Sequence, residues 1–228
     1  MRNDKVVIPL RALALRGALW SPVRIKTSEL GSTMGMSQQG ASQVLKRLER
    51  AGYIERWKGA GGSLIHITPK GRDLLLEFYH TLKMLFAKGG EVRLKGRVVR
   101  GMGEGRYYLS LKPYSEAIKK LTETEVYPGT LNIALDGLSA IKFRALSSFP
   151  GMEIMPFKAE GRSFGGAKLF RARIGDEQVH VIIPQRTHYQ DVVEVISEKS
   201  LREALDLSDG SVVEVVVEVN IPGIGDRD

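Results

Sequence analysis

Two short segments in the second half of the chain carry residues that could do chemistry on a phosphate group. Gly101-Met102-Gly103-Glu104-Gly105-Arg106-Tyr107 follows a strand-like run over residues 92–99. Glycines at 101, 103 and 105 allow close backbone approach and successive inward N–H groups, the nest that binds anions. Arg106 adds a permanent charge with fork geometry beside them. Pro128-Gly129-Thr130-Leu131-Asn132 lies in a second turn further along. Thr130 and Asn132 offer small oxygen donors suited to a hard, hydrated cation such as magnesium between protein and phosphates. Taken alone, a glycine segment of this kind after a strand is more often a turn or bulge than a phosphate site.

The surrounding composition narrows the chemistry. The chain has 228 residues, 43% of them hydrophobic, and no cysteine. It is long enough for two domains, each with its own core. Without cysteine it has no disulfide framework, thiolate metal site or thiol nucleophile. No G-x-x-x-x-G-K-[ST] sequence supports a P-loop enzyme, and no H-R-D or D-F-G pattern supports a protein kinase. No apolar h-region follows the N-terminal residues and no run approaches a membrane span, so the expected location is the cytoplasm, with no membrane partner.

Charge separates the two halves. Residues 1–88 hold 15 Lys and Arg against 6 Asp and Glu; the whole chain has 34 and 26, leaving 19 and 20 for the remainder. The basicity therefore belongs to the first segment, as expected of a domain that meets a polyanion.

The elements of residues 1–88 agree with that reading. Helical spacing covers 7–19, and Thr27 caps a short second helix to about Gly31. Gly35 breaks the pattern, and Ser37 caps a helix to Ala51. In that helix Ala41, Val44, Leu45 and Leu48 form a buried stripe. The opposite face presents Gln38, Gln39, Ser42, Gln43, Lys46 and Arg47, side chains that read base edges and phosphates. Strand-like runs at 53–57 and 64–68 flank a glycine-rich tip with Lys58, and a long helix spans 70–87. The order resembles the winged helix-turn-helix of MarR-like regulators and implies binding to double-stranded DNA. The 70–87 helix is apolar over too much of its circumference for one small core, which implies packing against the other domain or against a second copy of the chain in a homodimer. Trp20 and Trp57 are expected to pack within this domain. Lys88-Gly89-Gly90 is the expected linker.

Residues 91–222 read as many short strands, among them 107–111, with helical pattern only at 114–122 and 201–205, which favours a compact barrel. Four ordered blocks then resemble the archaeal CTP-dependent riboflavin kinases: the glycine segment, Pro128–Asn132, Pro184-Gln185-Arg186-Thr187-His188-Tyr189 with Val193-Glu194-Val195, and Ser200-Leu201-Arg202-Glu203. The resemblance implies a multi-domain α+β protein, its winged helix-turn-helix followed by a six-stranded cradle-loop β-barrel. It further implies transfer of the γ-phosphoryl of CTP to riboflavin, giving FMN and CDP, with Mg2+ as cofactor. By the same resemblance Met102, Gly103, Glu104, Gly105, Arg106 and Tyr107 form the nucleotide loop, closed from the far side by Lys199, Ser200, Leu201 and Arg202. Thr130 and Asn132 hold the metal, and Thr187 and Glu194 meet the flavin. Glu194 and Arg106 are the candidates to act on the reacting groups. The resemblance is loose over 137–162. A flavin- or nucleotide-sensing regulator without turnover is the alternative.

Overall fold

The computed structural model describes residues 4–59, 61–87, 90–159, 161–185 and 191–219. The backbone divides into two compact units, Met1–Tyr79 and His80–Asp228.

The first unit contains α1 (Asp4–Ala14), β1 (Val23–Ile25), α2 (Thr27–Thr33), α3 (Gln38–Arg50), β2 (Ile54–Gly59) and β3 (Gly62–Ile67), and the start of α4 (Pro69–Phe86). The division between units thus falls inside α4, ahead of the expected linker. Gly35 takes φ +63° between α2 and α3, a turn that side chains resist. The Ser37 side chain accepts a hydrogen bond from the Gly40 N–H, satisfying one of the orphan donors that open α3. Ala41, Val44, Leu45 and Leu48 are buried, while Gln38, Gln39, Gln43, Lys46 and Arg47 are exposed and Ser42 is half-buried. The hairpin β2–β3 is antiparallel, and β1, which periodicity did not reveal in three residues, pairs with β3 on its other edge. Lys58 is exposed near the hairpin tip. Two expectations fail here. α1 ends at Ala14 rather than Leu19. Trp20 is 83% exposed and Trp57 is also exposed, so neither serves the core.

The second unit holds β4 (Gly90–Val99), α5 (Glu104–Ser110), α6 (Lys112–Thr122), β5 (Leu131–Leu135), α7 (Gly137–Ser147), β6 (Met152–Ile154), β7 (Phe157–Ala159), β8 (Arg162–Phe164), β9 (Ala167–Ile174), β10 (Glu177–Pro184), β11 (Val192–Ile196), α8 (Leu201–Ala204) and β12 (Val212–Val219). Strands β10, β11, β5, β4, β12 and β9 pair in that order, and β9 pairs again with β10. Every pairing is antiparallel, so six strands close into a barrel with no free edge among them. β6 extends β9 beside the stretch that β12 leaves unpaired.

Strand periodicity decides which side chains fill the barrel. Val92, Leu94 and Val98 from β4, Val213, Val215, Val217 and Val219 from β12, and Val179, Val181 and Ile183 from β10 are buried in one cluster. Phe143 and Leu146 of α7 join it. α7 went unpredicted because its buried residues, Ser139, Ala140, Ile141, Phe143, Ala145 and Leu146, surround the helix instead of forming a stripe. Its local signal is the Asp136 cap, whose carboxylate accepts from the Ser139 N–H at 2.7 Å. A second correction concerns residues 107–111. They continue α5 through Ser110 rather than forming a strand, because a short apolar run does not distinguish the two by periodicity.

Replacing Ser37 by Ala removes the α3 cap and should cost about 1 kcal/mol of first-unit stability. Urea unfolding followed by tryptophan fluorescence checks this, since both tryptophans lie in that unit. An unchanged midpoint would show that the cap contributes nothing.

Candidate active site

On β10, β11 and β5 the odd-numbered positions fill the packed interior, and the candidate site is built on the alternate, even-numbered ones. Across four neighbouring strands, Ile182 of β10 stands opposite Glu194 of β11, Glu194 opposite Asn132 of β5, and Asn132 opposite Val99 of β4. This row places a carboxylate beside an amide at the spacing of paired strand residues. Thr130 precedes β5, and the Asn132 Nδ2 donates to its Oγ1 at 3.2 Å.

The glycine segment packs directly on this pair. Gly101 lies so close to the Asn132 side chain that a Cβ there would overlap it, and a Cβ on Gly105 would overlap the Thr130 side chain. Gly103 sits between them at φ +85° and caps α5. The two motifs, separated in sequence, therefore converge. α5 then presents its residues to two different cavities.

One cavity, of about 190 Å³, is lined by Arg106, Tyr127, Gly129, Thr130, Ser197 and Lys199 through Arg202. It carries three cations. The Lys199 Nζ is paired with Glu177 at 2.9 Å, and the Arg202 Nη2 donates to Asp209 at 2.7 Å and to the Val99 carbonyl at 3.0 Å. Arg106 is exposed and forms no ion pair among the described residues. The Tyr127 N–H donates to the Ser197 carbonyl at 2.8 Å, which joins the Pro128–Asn132 turn to the segment carrying Lys199.

The other cavity, of about 330 Å³, is lined by Glu104, Gly105, Tyr107, Tyr108, Tyr114, Thr130, Phe164 and Glu194, among others. Its walls are aromatic. Tyr108 meets Tyr114 and Phe164 edge-on, and Phe157 stacks on Phe164. The Tyr114 hydroxyl donates to the Gly165 carbonyl, and burial raises its pKa. Burial also pushes the Glu194 carboxyl above the usual range; the Glu104 carboxylate adds to this, and a hydrogen bond with Thr130 opposes it. Thr130 lines both cavities.

The expected site residues thus divide. Arg106, Lys199, Ser200, Leu201 and Arg202 share the polar cavity. Glu104, Gly105, Tyr107 and Glu194 share the aromatic one. Asn132 stands behind Thr130 and beneath Gly101, and Met102 is 75% exposed at the rim. Thr187 lies outside the described residues. Tyr108, Tyr114, Phe164 and Tyr127 escaped the sequence reading. The signal for the first is the Tyr107-Tyr108 pair following the glycines, whose aromatic side chains suit a strand as well as a helix. Thr130 and Asn132, the expected metal ligands, carry side-chain oxygens of the hard type that suits magnesium held by few protein groups plus phosphates. No group of three His, Cys, Asp or Glu side chains that could hold a metal occurs among the described residues.

Comparison with known proteins places the chain in a family. The CTP-dependent riboflavin kinase family model, described as a domain of unknown function (DUF120), matches residues 98–217. A MarR family model matches residues 10–61. The chain is 40% identical over 209 residues to a riboflavin kinase of Archaeoglobus fulgidus, covering 91% of this chain and 90% of that one. It is 39% identical over 214 residues to one of Methanospirillum hungatei, covering 93% and 96%, and 41% identical over 195 residues to one of Thermoplasma volcanium, covering 86% and 88%. This chain belongs to the CTP-dependent riboflavin kinase family. Its members at this similarity match both units of the chain, since the coverage extends well beyond the barrel. Among the described residues no helix is long and apolar enough to cross a membrane.

The raised Glu194 pKa has a consequence for stability. A carboxyl whose folded pKa lies above its unfolded value stabilises the fold while protonated, and that contribution is lost as pH rises through the folded pKa. The ligand-free Glu194→Gln variant should therefore gain melting temperature relative to the parent as pH rises above 4.5, the ordinary value. Thermal unfolding from pH 4 to 8 checks it, and a constant difference would overturn the assignment of burial to the ionised group.

Proposed function

We propose that this chain transfers the γ-phosphoryl group of CTP to the primary hydroxyl of riboflavin, giving FMN and CDP, and that its first unit binds operator DNA of riboflavin genes as a homodimer. The observation that carries the catalytic reading is Thr130, which belongs to a cationic cavity and an aromatic cavity at once. Phosphoryl transfer needs a donor phosphate and an acceptor hydroxyl to meet at one point, and positioning with charge neutralisation provides most of the rate.

In this reading the polar cavity takes the triphosphate. Arg106, without an ion pair among the described residues, closes on the phosphate oxygens, while Lys199 and Arg202 are pre-set by Glu177 and Asp209. The aromatic cavity takes the flavin ring between Tyr108, Tyr114 and Phe164. Its ribityl chain runs toward Thr130, where Glu194 accepts a hydrogen bond from the terminal hydroxyl and receives its proton on transfer. The elevated pKa makes Glu194 a better proton acceptor than an ordinary carboxylate. Thr130 and Asn132 would hold magnesium, which would supply neutralisation of phosphate charge. The location expected for such an enzyme is the cytoplasm.

For DNA, α3 offers its exposed Gln38, Gln39, Gln43, Lys46 and Arg47, with Ser42 beside them and Lys58 on the wing. Exposed Phe78, Leu82, Leu85 and Phe86 on α4 provide an apolar stripe for a second copy.

Incubation with riboflavin, magnesium and either CTP or ATP should yield FMN with CTP, and Arg106→Ala should lower kcat/KM by about 100-fold. No FMN with either nucleotide would leave only a flavin or nucleotide sensor. Fluorescence anisotropy against salt should show duplex binding, with the slope of log K against log salt falling by about 2 in the Lys46→Ala/Arg47→Ala variant. Sedimentation of the same complex should give two chains per duplex. An unchanged slope would remove α3 as the reading helix, and one chain per duplex would remove the dimer.

A further inference from the structure

A third cavity, of about 260 Å³, lies wholly within residues 80–219 and shares no lining residue with the two described above. Its apolar walls come from Met84, Val92 and Val219. Its charged rim is unbalanced. Glu91 is engaged by Arg93 at 2.9 Å and by Arg173 at 3.1 Å, and Arg93 also reaches Glu214 at 3.0 Å, so this acid is already neutralised. Lys83 and Lys142 remain. Neither forms an ion pair among the described residues. The Lys142 Nζ donates to the Arg93 carbonyl at 3.3 Å. Asp136 feels the field of Lys142 and Lys95 but directs its carboxylate to the Ser139 N–H. Two ammonium groups without an ion pair among the described residues, at the rim of an apolar pocket, call for a dianion with an apolar body.

We propose that this cavity is a binding site for a phosphate monoester of a small apolar molecule, its phosphate between Lys83 and Lys142 and its body against Met84, Val92 and Val219. A phosphate monoester carries close to two negative charges at neutral pH, which matches the two ammonium groups. A single carboxylate would leave one of them unanswered. The site stands apart from the proposed phosphoryl transfer, so its occupancy does not require turnover.

His80 lines the same cavity and reports on it. Burial, then Lys142, then Lys83 hold its pKa below the ordinary value of 6.5. A bound dianion reverses the local potential and raises it. The experiment is an NMR titration of the full chain's imidazole signals against pH, with the His80 signal assigned by its loss in His80→Gln. Phenyl phosphate should move the His80 titration upward by about one pH unit and leave His66 and His180 unmoved. Inorganic phosphate, lacking the body, should need a concentration at least tenfold higher for the same movement. In Lys83→Ala/Lys142→Ala the His80 titration should begin higher, because the repulsion is gone, and should not respond to phenyl phosphate. Both lysines lie at the rim, and the unfolding midpoint of this variant verifies that it folds. A His80 signal unmoved by phenyl phosphate, or moved equally in the double variant, would overturn the site. Equal potency of inorganic and phenyl phosphate would overturn the apolar half of the assignment.

Discussion

The site depends on the absence of two side chains. Gly101 and Gly105 are pressed against Asn132 and Thr130 so closely that neither could carry a Cβ without displacing what it touches. That packing brings two motifs from opposite sides of α6 together and leaves Thr130 little freedom to turn away. It also sets the direction in which α5 departs, so Arg106 falls into one cavity while Glu104 and Tyr107 fall into the other. A larger residue at either position would separate the turns and dissolve the point they share.

The barrel gives this contact a rigid base. Closure of six antiparallel strands removes any edge along which register could slip, and the interior is filled by valine, isoleucine, leucine and phenylalanine. Polar chemistry is thereby excluded from the inside and displaced to the outer face, where Asn132 and Glu194 stand side by side on β5 and β11. Glu194 is still well covered there, because α5 and the segment through Phe164 roof the surface, and this cover raises its pKa. Electrostatics follow from topology here rather than from any unusual residue.

The cations illustrate the same division. Arg202 is held by Asp209 and by the carbonyl that ends β4, so the segment after β11 is fastened to the strand that leads into the glycines. Lys199 is likewise held by Glu177. Arg106 alone of the three in that cavity is left without an ion pair among the described residues. A charge already positioned costs little to engage, and a charge left unpaired can follow a moving phosphate.

The chain read as a sequence already contained α3, because the stripe of Ala41, Val44, Leu45 and Leu48 repeats at helical spacing and Ser37 carries its own cap. It contained the barrel strands, whose alternation needs no partner to be seen, and the glycine and Thr-x-Asn motifs, whose chemistry resides in residue type. Periodicity did not reveal α7, buried around most of its circumference, nor α5, whose aromatic residues suit a strand equally well. Burial of Trp20 was expected from its type, and only packing showed otherwise. The convergence of Gly105 on Thr130, the split of α5 between two cavities and the shift at Glu194 belong to the tertiary structure. Each arises from residues distant in the chain meeting in space, and no local pattern records which surfaces meet.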